Sequence, residues 1–310
     1  MSIDLNKVKT YSIKKRLSRV DKKAFAGVPA KGGSFKEFYE SLPDILKVRD
    51  LKAVVSAIIR ARKKQRAVIF MMGAHVIKCG LSPLVIDLIR EKIISAVVLN
   101  GAGIIHDFEI AYQARTSEDV ASALKLGSFG MARETAEFVN SAVNKGVQEG
   151  LGLGEAVGRQ IAREGLKFKD YSILYACYKA NIPVSVQVAI GTDIIHQHPS
   201  FDGALTGEGS QRDFLKLVEV VSGLRDGGVV LNFGSNVILP EVFLKALNLA
   251  RNLGKKIDNF TAANFDMVHH YRPQMNVVSR PTQDSGRGYY IIGHHEIMLP
   301  LLHRGIIEYI

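Results

Sequence analysis

The chain has 310 residues, enough for one large domain or two small ones, and at 47% hydrophobic and 23% charged residues it has the composition of an ordinary globular protein. Its net charge of +11 points first to an anionic partner, but +7 of this sits in residues 1–32, where nine Lys and Arg face only Asp4 and Asp21. No window reaches the roughly 18 uninterrupted apolar residues of a membrane span, Cys79 and Cys177 form no CxxC pair, and no apolar core follows the charged start, so a soluble cytoplasmic protein is expected.

Residues 1–40 read as a basic arm. Such an arm can bind nucleic acid or anionic lipid. No ribonucleoprotein motif or zinc-finger spacing accompanies it, and an extension packing over a neighbouring subunit is the simpler expectation, with neither nucleic acid nor membrane as partner. The stretch 42–64 carries apolar residues at three-and-four spacing and predicts an amphipathic helix. Apolar strands are then expected at 66–72, 95–100, 182–190, 227–233, 256–263 and 288–293. Helices are expected at about 81–91, 108–114, 211–223, 239–253 and 295–304, with a helical insertion over 131–180. Near-continuous apolar strands alternating with helices predict a single α/β domain over 41–310, with a mostly parallel, Rossmann-like sheet covered by helices on both faces.

The polar residues fall where such a sheet binds ligands, outside the carboxyl ends of its strands. His75 follows the first strand; His106 and Asp107 follow the second; Asp193, His196, His198 and Asp202 follow the third. Asp266, His269 and His270 follow the fifth, and His294, His295 and Glu296 the sixth. Glycines mark the same ends in "MMGAH", "NGAGIIHD", "AIGTD" and "NFGSN", as expected where main-chain N–H groups approach a ligand. The more literal pattern "GLGLGEAVG" (150–158) follows a helix and has the wrong spacing for a dinucleotide fingerprint. Two chemistries fit the cluster. Imidazoles and carboxylates can hold a divalent metal, with His106, His196, His198, His269, His294 and His295 as the ligand pool. Alternatively a His transfers protons while carboxylates anchor a cationic substrate or a ribose.

From about residue 40 to the end, short blocks resemble the deoxyhypusine synthase superfamily. "GAGIIHD" is similar to that family's acidic Gly-rich turn and keeps Asp107; "TDIIHQH" is similar to its GD block with a catalytic His, matching Asp193 and His198. "LNFGSN" resembles a Gly-rich turn before a helix, "TAANFDM" a TAxxFDG strand end with Thr261 and Asp266, and "LPLL" the closing FPLL. The resemblance implies a homotetramer, NAD as cofactor and a polyamine or other small amine as substrate. It implies catalytic roles for His198 as general base and Asp193 as amine anchor, with His196 and Asp266 beside them. It implies cofactor contacts from Gly73, Gly101, Gly103, Asp107, Gly234, Ser235 and Thr261. The family's imine-forming lysine has no counterpart: the matching region reads "NVVSRPTQDSGRG", Arg280 is nearest, and no Lys occurs in 257–310. Arg stays protonated and cannot form the imine. An NAD-dependent amine-processing enzyme is therefore expected rather than a true deoxyhypusine synthase, with a metal-dependent enzyme or a non-catalytic NAD-binding protein as alternatives.

Overall fold

The structure, a computed structural model, describes residues 3–310. The chain falls into two compact units, Met1–Arg49 and Asp50–Ile310. In the first, short 3-10 turns at Leu5–Lys7, Ile13–Lys15 and Lys22–Ala24 are capped by Asp4, Ser12 and Asp21, and helix α1 (Phe35–Ser41) opens with a Ser34–Glu37 capping box.

Helix α2 (Leu46–Lys63) leads into β1 (Val68–Met72), the short α3 (His75–Lys78), α4 (Ser82–Arg90) and β2 (Ala96–Asn100). The chain then runs through α5 (Gly101–Gln113), α6 (Val120–Lys125), α7 (Arg133–Gln148), α8 (Leu153–Glu164) and α9 (Ile173–Ala180) to β3 (Val184–Gln187). Helix α10 (Gly203–Val221), β4 (Val229–Phe233), α11 (Ile238–Asn252) and β5 (Thr261–Asp266) follow. Helix α12 (Tyr271–Pro273), extended by a π-helical turn over Gln274–Ser279, precedes β6 (Arg287–Ile292) and α13 (His295–Ile307). No helix among the described residues is long and apolar enough to cross a membrane.

All six strands are parallel and lie in the order β3-β2-β1-β4-β5-β6. "VIFMM" and "VVLNF" are buried throughout because helices cover both faces of the sheet. On one face Ile69, Met71 and Val230 pack with Leu217 and Val221 of α10 and with Phe243 and Leu247 of α11. Side chains alternate across a strand, so Phe70, Phe233 and Phe265 fill the other face, with ring centroids 5.1 Å and 4.4 Å apart in sequence. After β3, at one edge, the chain crosses to lay β4 beside β1. The connections after β1 and β4 leave in opposite directions, which opens the switch-point crevice where doubly wound sheets bind ligands.

Three boundaries differ most from the sequence expectation. Helix α5 starts at Gly101 rather than 108, because Asn100 accepts from the Gly103 N–H at 3.1 Å and caps a glycine-rich first turn. Helix α10 starts at Gly203 rather than 211, because Asp202 accepts from Ala204 and Leu205 N–H, each at 2.9 Å; Asp202 is a cap. Strand β5 occupies 261–266 rather than 256–263: Asn259 has a left-handed φ of +55°, which ends the preceding turn, while buried Ile257 and Phe260 supplied the apolar signal.

Candidate functional site

The carboxyl edge of the sheet carries two buried polar groups. The first lies at the switch point, after β1, β4, β5 and β6. The turns after β1 and β4 touch: Gly73 N–H donates to Phe233 O at 2.9 Å, and a Cβ on Gly73 would lie 2.5 Å from Gly234 O. Gly234 has a φ of +63°, and a Cβ there would lie 2.6 Å from His295 Nε2. Both positions therefore require glycine. Asn232 and Asn264 sit opposite one another in the register of β4 and β5. Asn232 Nδ2 donates to Asn264 Oδ1 at 2.6 Å and to Ser235 O at 2.8 Å, while Ser235 Oγ accepts from Leu239 N–H at 3.3 Å at the start of α11. Asp266 Oδ1 accepts from Met267 N–H at 2.7 Å. His295, at the start of α13 and 1% exposed, lies with its ring 5.8 Å from His75 and 6.0 Å from Phe233. Burial lowers its pKa, against the pull of Asp266, so the ring is held neutral.

Five buried polar atoms here have no partner: Asn232 Oδ1, Asn264 Nδ2, Asn236 Oδ1, Asp266 Oδ2 and His295 Nδ1. Asn232, Asn236 and Asn264 were not picked out from sequence. Asn232 and Asn264 did leave a signal, an Asn just before a Phe in the two strand segments "VVLNF" and "TAANFD".

The second group lies after β2 and β3. Asp193 reaches the first turn of α5, where its carboxylate accepts from the Ala102 N–H, and a Cβ on Gly101 would lie 1.9 Å from Asp193 Oδ2. Burial raises the Asp193 carboxyl to about 6. His196 Nδ1 accepts from Gly191 N–H at 3.0 Å and Asp193 N–H at 3.2 Å, which leaves the ring proton on Nε2, 3.8 Å from Asp193 Oδ2. Burial lowers the pKa of His196. Asp193 Oδ2 and His196 Nε2 are both buried without a hydrogen-bond partner.

The remaining sequence candidates are placed as follows. His198 is held by Ser200, whose N–H donates to its Nδ1 at 3.2 Å, so the structure sets His196 rather than His198 beside Asp193. Asp107 is fully buried and accepts from Ser172 Oγ at 2.5 Å, Ile173 N–H at 2.7 Å and Leu174 N–H at 3.2 Å, capping α9. Gly103 packs on Leu99 and donates to Asn100. Thr261 opens β5, at the opposite end of that strand from Asp266. His106 pairs with Thr116 and Glu109, His269 lies 4.7 Å from the Tyr290 ring, and His294 is exposed beside Glu296. Among the described residues no three His, Cys, Asp or Glu converge closely enough to hold a metal ion.

No family model and no curated protein matches the sequence. Solved structures do. The chain is similar to ArgZ, an arginine dihydrolase from the ornithine–ammonia cycle in Cyanobacteria, at 18% identity and a TM-score of 0.51, covering 83% of this chain and 31% of that one. It is similar to AgrE in ternary complex with ornithine and NAD+, at 13% identity and a TM-score of 0.53, covering 83% and 32%. It thus spans about a third of the length of these two proteins. A putative deoxyhypusine synthase from Entamoeba histolytica matches at 11% identity and a TM-score of 0.50, covering 90% of this chain and 94% of that one. At these identities the likeness is one of fold, and the chain has the deoxyhypusine synthase-like fold that its sequence blocks implied.

Proposed function

We propose that the chain is an NAD-dependent enzyme acting on a small amine, and not a true deoxyhypusine synthase. The observation that carries this reading is the set of unpartnered buried polar atoms at the switch point, beside two glycine turns that bring no side chain into the crevice. Folded proteins satisfy nearly all such atoms, and a concave site with convergent polar groups is where a ligand satisfies them. The fold's likeness to a protein solved with ornithine and NAD+ supports the choice of cofactor and substrate class.

Gly73, Gly234 and Ser235, with Asn232 and Asn264, suit a dinucleotide, and NAD when bound would supply a hydride acceptor. The α5 turn suits it less, since Asn100 and Asp193 already take the Gly103 and Ala102 N–H groups. Asp193 is ionised at neutral pH and offers its unpartnered Oδ2 to an ammonium group. Asp266 offers a second carboxylate oxygen about three strand spacings, roughly 14 Å, along the sheet edge. An elongated amine with more than one ammonium group fits this pair better than a compact one. His295 is the residue suited to accept a proton: its ring is neutral and its Nδ1 has no donor, whereas His196 and His198 each receive main-chain N–H groups at Nδ1. Exposed Val237, Met267, Val268, Tyr271, Ile292 and Ile297 rim the same edge and support an oligomer that covers it.

Calorimetric titration with NAD+ should show binding, and NADH should form with ornithine or spermidine but not with a monoamine of equal length. Labelled spermidine with NAD+ and an acceptor protein should leave the acceptor unlabelled, since Arg280 occupies the region of the expected lysine. Absence of both heat and thermal shift at millimolar NAD+ would sink the proposal. Robust labelling of the acceptor would show that another amine, such as Lys78 on α3, forms the imine.

A further inference from the structure

The amino edge of the sheet lies about 16 Å from the carboxyl edge, across five-residue strands rising about 3.3 Å per residue. Two clefts open along it. One, about 920 Å3, lies before β1, β2 and β4 and reaches the turn after α11, and the other, about 620 Å3, lies before β4, β5 and β6; the last turn of α2 contributes to both. Ten Lys and Arg line the two clefts, against a single carboxylate, Glu219.

Arg66 and Lys256 are paired with Asp226 and Asp258. Among the described residues, Lys63, Lys92, Arg225 and Lys255 of the first cleft have no carboxylate partner. The same holds for Arg60, Lys64 and Arg287 of the second. All seven are exposed. The ordinary explanation is that basic groups offset helix C-termini. Four helices, α2, α4, α10 and α11, end beside the two clefts, and each contributes about half a negative charge. That accounts for about two of the ten positive charges. Asp226, Asp258 and Glu219 offset three more, and the remaining charges, about five, are surplus, gathered on one edge of a segment whose net charge beyond residue 32 is otherwise small.

The clefts also restrict what they could recognise. The aromatic ring among their lining residues, Phe260, is fully buried, so no platform stacks a base. Gln65 and Asn259 are the amide side chains available to read base edges. From β2 to β6 the edge spans four strand spacings, about 19 Å, which suits an extended anion rather than a single phosphate. We propose that the amino edge of the sheet binds a linear chain of phosphates, of the inorganic polyphosphate type, by charge alone.

The test uses the full chain and labelled short-chain inorganic polyphosphate, followed by fluorescence anisotropy over a range of salt. The variant Lys63→Ser/Lys92→Ser/Arg225→Ser/Lys255→Ser should bind at least tenfold more weakly. Its slope of log K against log salt should fall by about 3, at about 0.7 per lost contact. Its NAD+ titration should match that of the wild type, which checks folding. The arm variant Lys14→Ser/Lys15→Ser/Lys22→Ser/Lys23→Ser should keep most of the affinity. Loss of binding in the arm variant with retention in the cleft variant overturns the proposal. So does displacement of polyphosphate by a single-stranded oligonucleotide at lower phosphate concentration, which would make nucleic acid the ligand.

Discussion

Replacing Asp193 by Asn measures a cost stored at the carboxyl edge. The carboxyl is raised from its ordinary 3.8 to about 6, chiefly because burial disfavours the charged form, with the Ala102 N–H pulling the other way. A carboxyl whose pKa is raised by folding holds its proton more tightly in the folded state. Its contribution to stability is therefore intact below the unfolded value near 3.8 and is lost as pH rises through about 6. Roughly two units at about 1.36 kcal/mol each set the loss at about 3 kcal/mol. Asn keeps an oxygen to accept from Ala102 and cannot ionise. Asp107 and Asp213 are raised in the same direction by burial, but they are common to both proteins and cancel in the difference. Urea unfolding from about pH 4 to about pH 8 should show the variant gaining on the wild type by up to about 3 kcal/mol, with the gain levelling off once the pH is above about 7. Elongated amines should stabilise the wild type and leave the variant unmoved. Parallel stability curves would refute the reasoning, because they would mean that Asp193 is not charged in a buried place.

Replacing His295 by Gln should leave NAD+ affinity within about twofold while removing turnover; in the wild type, the rate should fall on acidification with a midpoint below the ordinary His value of 6.5, since burial lowers this pKa. Stopped-flow measurement of NADH formation across pH reads both effects, and full activity in the variant would remove His295 from the reaction. Replacing Asp107 by Ala strands the Ser172 hydroxyl and the Ile173 and Leu174 N–H groups. At about 1–3 kcal/mol per buried unsatisfied donor, the variant should lose at least about 3 kcal/mol in urea unfolding. The folded fraction should bind NAD+ as the wild type does; selective loss of NAD+ affinity would return Asp107 to the cofactor site.

The sheet was legible because strands buried on both faces are nearly continuous apolar runs, and "VIFMM" and "VVLNF" could be little else. Helix starts were not, because a helix opening on Gly101-Ala102-Gly103 reads as a turn until the Asn100 cap is seen. The gathering of polar side chains along the carboxyl edge was legible from where the histidines fall after the strands. The work of each polar side chain was not. Asp107 sits in a Gly-rich, acidic-looking turn, yet its bonds run to α9, which lies far along the chain. His196 and His198 are two residues apart, and only the backbone of the 3-10 turn determines which of them turns toward Asp193. Asn232 and Asn264 became a pair once the register of β4 and β5 was known, and register is a long-range property that local pattern does not carry.

Phe70, Phe233 and Phe265 are each fully buried, and Phe233 lies between the other two rings, tilted 15° from one and 4° from the other. A phenyl ring held in this way can rotate by half a turn only when its neighbours move apart, so its flip rate reports the breathing of the sheet beneath the crevice. Phe233 is also 6.0 Å from the His295 ring. A molecule seated against His295 would tighten that neighbourhood and slow the flip. Aromatic NMR line shapes of Phe233 would therefore register occupancy of the crevice even for a compound that is bound and never turned over.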